Sequence, residues 1–208
     1  RKKLLSVDFG AGTIETTSLK TAFFGCINNS SVTGKIPDNI SDFYRAFREN
    51  NLESFDAILP ASLDNCTEAW FGNNLTTWTA ELPNNITNCT NAWRDNNLTT
   101  WDTALPSSLI TCRQAWRSNA LSGWTVALPT SLQDCSQAWL ANALTTWDAS
   151  LPDSITNCSF AWGLNNLIAW NFDLPAFLIT CSRAWEANNI STWTKTLPTS
   201  LQDCSKAW

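Results

Sequence analysis

Any chemistry in this chain falls to hydroxyls, amides and scattered carboxylates, because histidine is absent. That removes the commonest general base and the commonest metal ligand. The polar groups gather on short Thr/Trp segments: Thr77, Thr79 and Glu81; Thr100 and Asp102; Thr125; Thr146 and Asp148; Asn171 and Asp173; Thr192 and Thr194. Rows of this kind suit a polyhydroxylated ligand, and the plainer reading is a solvated sheet face. The acids are too scattered for the paired carboxylates of a glycoside hydrolase. Seven of the eight cysteines (Cys66, Cys89, Cys112, Cys135, Cys158, Cys181 and Cys204) recur every 23 residues. Zinc sites use cysteine pairs two to four residues apart, so no metal or other cofactor is expected. Stacked neighbours would be near enough to cross-link by distance alone, but seven ladder positions cannot all pair. The first reading is therefore a small buried apolar side chain, with some inter-unit disulfides as the alternative.

These groups are carried by a repeat. All eight prolines share its phase, at Pro37, Pro60, Pro83, Pro106, Pro129, Pro152, Pro175 and Pro198. All thirteen tryptophans occupy two further phases: Trp70, Trp93, Trp116, Trp139, Trp162, Trp185 and Trp208; and Trp78, Trp101, Trp124, Trp147, Trp170 and Trp193. A fixed period of this length predicts stacked units that bury their apolar faces against each other. Both tryptophan columns read as core; the alternative is that one is exposed and offers flat platforms to sugar rings. The asparagines at Asn50, Asn73, Asn96, Asn119, Asn142, Asn165 and Asn188 read as turn amides bonded to their own and the neighbouring backbone.

Within a unit, Leu63, Cys66, Ala69 and Trp70 are spaced like one face of a short helix. Pro60 suits its first turn, and Asn73-Asn74 suits its end. Leu75-Thr76-Thr77-Trp78-Thr79 favours strand. The expectation is an α/β solenoid with a short helix and a parallel strand of about five residues per unit, forming one continuous parallel sheet. Residues 1–35 form an irregular segment with a degenerate repeat, in which Phe23 and Phe24 take the Ala and Trp phases. Residues 36–208 form the tandem array, the first unit using Phe43, Phe47 and Phe55 for Cys and the two Trp.

The net charge of −5 offers no basic stripe for nucleic acid. No apolar run approaches the length of a membrane-spanning helix. The basic residues cluster only at Arg1, Lys2 and Lys3. Glycosylation sequons such as Asn97-Leu98-Thr99 fall out of the repeat itself. Asp8-Phe9-Gly10-Ala11-Gly12-Thr13 looks like a phosphate loop of actin-like ATPases, but no second phosphate loop follows. The array ends in mid-unit without a polar cap, so further repeats or other copies of the chain are expected to cover it.

The unit Ile86-Thr87-Asn88-Cys89-Thr90-Asn91-Ala92-Trp93, followed by Asn97-Leu98-Thr99-Thr100-Trp101, resembles the BspA-like surface leucine-rich repeats. Its Ala-Trp variant is similar to repeat arrays of marine phage tail-fibre and virion proteins. The resemblance covers about residues 19–208. The doubled tryptophan columns and the proline depart from that family's pattern. It implies a leucine-rich-repeat-like solenoid, extracellular or on a virion surface. Such a protein would be non-enzymatic, a fibre or adhesin segment that binds a cell surface or glycan. A purely structural protein stacking end to end into a filament is the alternative, and a glycan-active enzyme the lesser one.

Overall fold

The computed structural model describes residues 4–10 and 14–208. The basic cluster at Arg1, Lys2 and Lys3, and the Ala11-Gly12-Thr13 end of the phosphate-loop-like motif, lie outside them. The chain winds as a stack of rungs, one per repeat. A continuous series of parallel bridges records the stacking: Ser18, Asp42, Asn65, Asn88, Thr111, Asp134, Asn157, Thr180 and Asp203 pair in succession.

Among the described residues no α-helix forms, so the helical half of the expected unit is overturned. Tight turns take its place. In the rung that starts at Pro83, the Ala92 N–H donates to the Cys89 carbonyl (3.0 Å) and the Arg94 N–H to Asn91 (3.4 Å). The intervening N–H groups of Cys89, Asn91, Trp93 and Asp95 donate to the carbonyls of Thr111, Arg113, Ala115 and Arg117, one rung further on, at 2.9–3.1 Å. The third residue of the Cys89–Ala92 turn, Asn91, has φ 56°, as a type II turn requires, and Asp95, just after the Asn91–Arg94 turn, has φ 55°. The physical reason is rung spacing. Trp70, Trp93, Trp116, Trp139, Trp162 and Trp185 stack nearly parallel, with centroids 5.3–5.8 Å apart. Packed helices need axes 8–10 Å apart, so backbone stacked this closely must lie flat in its rung. Residues spaced like one helix face still turn inward, because successive tight turns bring Cys89, Ala92 and Trp93 to the same side.

The strands are also shorter than expected, and the single continuous sheet does not form. β1 (Ser6–Phe9), β2 (Ser31–Gly34) and β3 (Ser54–Phe55) make one parallel sheet. β4 (Gly123–Trp124) pairs β5 (Thr146–Trp147), and β6 (Ala169–Trp170) pairs β7 (Thr192–Trp193). On this side the second indole column spreads wider, with centroids 6.0–6.4 Å apart from Trp78 to Trp193. From β3 onward only two residues per strand keep ladder bonds among the described residues. Gly34 closes β2 at φ 84°, where a Cβ would fall 2.3 Å from the Phe9 carbonyl oxygen.

The first rung carries one extra residue. Ser18 bridges Asp42 rather than a residue 23 further on, so Phe23, not Phe24, stacks on Phe47 (5.2 Å, 6°). Phe47 and Phe55 then lead the two aromatic columns, Phe55 stacking on Trp78 at 5.2 Å. The columns meet edge to face throughout, as at Trp93–Trp101 (4.7 Å, 67°).

Candidate binding face

The strand segment presents its polar groups because the tryptophan between them is held inward. Trp101 is buried, and its Nε1 donates to the Thr103 carbonyl two residues on (2.8 Å). Trp78, Trp124, Trp147 and Trp193 make the same bond to Ala80, Val126, Ala149 and Lys195. With the ring pinned, the residues on either side of it must face the other way. Thr77, Thr79, Thr100, Asp102, Thr125, Thr146, Asp148, Asn171, Asp173 and Thr194 are all exposed. Nine of the ten flank the tryptophans in two columns: Thr77, Thr100 and Thr146 before the ring; Thr79, Asp102, Thr125, Asp148, Asn171 and Thr194 after it. Asp173 stands apart, two residues further along its rung, where Lys195 bridges it at 3.0 Å.

Two concavities open on this face. The larger, about 660 Å³, lies between 56–61 and 79–84 and is lined by Asp56, Ile58, Thr79, Glu81 and Asn84. On one wall Asp56 and Ile58 donate backward to the carbonyls of Val32 and Gly34. The smaller, about 210 Å³, involves Thr146, Asp148, Ile168, Trp170 and Asn171. There Trp170 lacks the usual bond, its buried Nε1 having no partner.

The asparagine column is a structural ladder. The Asn96 amide donates to the carbonyls of Trp70 (2.8 Å) and Trp93 (3.1 Å), and its oxygen accepts from the Leu75 N–H (3.2 Å). Asn73, Asn119, Asn142, Asn165 and Asn188 repeat the pattern. Cys66, Cys89, Cys112, Cys135, Cys158, Cys181 and Cys204 are free thiols, all but the last buried. Burial pushes the Cys181 thiol up to about 12, and raises those of Cys66, Cys89, Cys112, Cys135 and Cys158 well above the ordinary thiol value. Such thiols stay protonated and unreactive. Trp70, Trp93, Trp116, Trp139, Trp162 and Trp185 are buried, so these rings offer no sugar platform.

Two further ladders escaped the reading of the sequence. The residue before each ladder cysteine caps the backbone two residues on: Asn88 accepts from Thr90 (2.9 Å) and Asp134 from Ser136 (2.8 Å). The serine two residues after five of the eight prolines bridges rungs, as Ser131 does to the carbonyls of Ser107 (2.8 Å) and Leu109 (2.7 Å). Their signal was a recurring Asn/Asp/Thr before cysteine and a recurring Ser after proline. At the N-terminal corner Glu68 accepts from Arg45 (2.8 and 3.2 Å) and Arg48. Burial raises the Glu68 carboxyl, but those two guanidiniums outweigh it and hold it below the usual range. Among the described residues, no three Cys, Asp or Glu side chains converge in a way that could hold a metal ion.

These ladders define a tandem-repeat solenoid whose rungs are tied by aromatic stacking, side-chain amides and parallel backbone bonds. Neither a protein-family model nor a curated protein matches the chain. Among solved structures it is similar to a leucine-rich repeat protein from Bacteroides ovatus ATCC 8483, at 13% identity and a TM-score of 0.27, over 97% of this chain and 83% of that one.

Proposed function

We propose that this solenoid is a non-enzymatic binding protein, a fibre or adhesin segment on a cell or virion surface. Its ligand is a glycan, held along the strand face. The observation that carries the reading is the exposure of Thr77, Thr79, Thr100, Asp102, Thr125, Thr146, Asp148, Asn171 and Thr194 in two columns beside fixed tryptophans. Their hydroxyls, amides and carboxylates recur at each rung, so a polymeric sugar meets equivalent groups repeatedly and weak contacts add. The groove at Asp56, Thr79 and Glu81 gives a concave start to that face.

The test is a glycan array probed with the purified chain and with a variant carrying Thr79→Lys, Asp102→Lys and Asp148→Lys. Retention of one glycan class by the parent and its loss in the variant supports the reading. An array on which the parent retains nothing, or on which both proteins bind alike, removes it.

A further inference from the structure

A different corner of the solenoid breaks the repeat at several positions at once. The corner is built from three positions of the turn region, those of Asn91, Arg94 and Asp95 in the rung from Pro83. In the early rungs arginines pair across rungs here: Arg48 reaches Glu68, Arg94 reaches Gln114 (2.6 Å), and Arg117 reaches Gln137 (2.7 Å), while Phe71, at the arginine position between the first two, lies against both guanidiniums. From Leu140 onward that pairing stops. Leu140 replaces the arginine, Phe160 replaces the glutamine facing it, and Gly163 removes the next side chain altogether. Leu164 follows, 56% exposed and at φ 54°, where a leucine is costly both by exposure and by backbone.

The result is a pocket of about 440 Å³ lined by Arg117, Leu140, Phe160, Gly163, Leu164 and Arg183 among others. Its volume lies within the usual range for small-molecule sites. Its floor is apolar, with Arg117 at one end and Arg183 with Glu186 at the other. Arg183 lies over the Phe160 ring at 5.3 Å and meets Glu186 at 3.6 Å. Arg117 forms no ion pair among the described residues, and its buried Nε has no hydrogen-bond partner. Burial, and then the neighbouring Arg94, lower its pKa from the ordinary arginine value. Asp95 offsets part of the Arg117 charge, and a carboxylate arriving from solution adds a charge-assisted partner.

We propose that this corner is a binding site for a small organic acid with an apolar body. The carboxylate accepts from the terminal guanidinium nitrogens of Arg117, and the body lies on Leu140, Phe160 and Leu164 in the space left by Gly163. The site is separate from the strand face and does not depend on the glycan reading. No covalent step is involved.

The experiment is a titration of the isotope-labelled full chain with 4-phenylbutyrate, read by the Arg117 Nε–H and Gly163 amide resonances. The matched amide and amine, 4-phenylbutyramide and 4-phenylbutylamine, serve as controls. Both resonances are expected to move with the acid. The amide should bind about tenfold or more weakly, because it lacks the charge-assisted pair. Arg117→Gln should weaken the acid by about the same factor. Gly163→Leu should abolish binding by filling the space, with near-ultraviolet circular dichroism of the indole stack reporting that the fold persists. If Gly163→Leu does not fold, the acid-to-amide ratio and Arg117→Gln decide the matter. Absence of any shift with the acid overturns the proposal. So does equal binding of the amide, or Arg117→Gln binding as tightly as the parent.

Discussion

The two indole columns use one side chain in opposite ways. In the column from Trp70 to Trp185 the rings are fully packed and their N–H groups have no conventional partner. Their backbone carbonyls are served instead by the asparagine amides, as Trp93 is by Asn96 and Asn119. In the column from Trp78 to Trp193 most rings spend their own N–H on the chain two residues on. The first column is apolar bulk held by a polar neighbour. The second fastens the exposed face to the core. The two columns meet edge to face, a geometry aromatic pairs favour. The lesson is that a repeat can place equal residues at two phases and assign them different work through what lies beside them.

The largest effect should come from emptying the packed column. Trp93→Ala is expected to cost about 3–5 kcal/mol in denaturant unfolding. Asn96→Ala should follow at about 1–3 kcal/mol, because it orphans the Leu75 N–H, while the Trp70 carbonyl keeps its bond from Asn73. A finer contrast lies between phenylalanine substitutions. Trp101→Phe should cost about 1 kcal/mol more than Trp93→Phe, since only Trp101 surrenders a bond, to Thr103. Equal losses would erase the distinction between the columns. Ala141 sits at φ 58° beside the first column's turns. Ala141→Gly should therefore raise stability by about 0.5–1 kcal/mol, whereas a helical backbone there would lose stability.

The smallest effect is a pH dependence. The Glu68 carboxyl sits below its ordinary 4.5 when folded, so its contribution is complete above that value and fades as pH falls through the lowered one. Glu68→Gln should flatten the thermal midpoint between about pH 5 and 3 and leave it unchanged in slope near neutrality.

Much of the core was legible because a period written in Pro, Cys and Trp leaves few ways to stack. The inward phases of Cys89, Ala92 and Trp93 and the outward phases of Thr100 and Asp102 follow from it. The backbone between them did not. Apolar residues three and four apart fit a helix and a run of tight turns equally. Glu68, Asn91 and Gln114 at positive φ carry little of the glycine signal that marks such turns. The short strands were obscured for another reason: Thr-Thr-Trp favours extension, yet along this column the described ladders are only Gly123–Trp124 with Thr146–Trp147 and Ala169–Trp170 with Thr192–Trp193. The corner at Phe160, Gly163 and Leu164 was present in the letters, yet the helical reading gave those three residues no common edge.

The bonds that join rungs link residues roughly one repeat apart, as from Trp93 to Ala115 or Asn96 to Trp70. Such a stack has a mechanical signature. Tension applied along its axis loads the junctions in series, so the weakest gives way first and the neighbours follow one at a time. The force needed depends on a single junction and not on the number of rungs, while the length released grows with each one lost. A chain built in this way yields by paying out slack at nearly constant load, and recovers it rung by rung when the pull is relaxed.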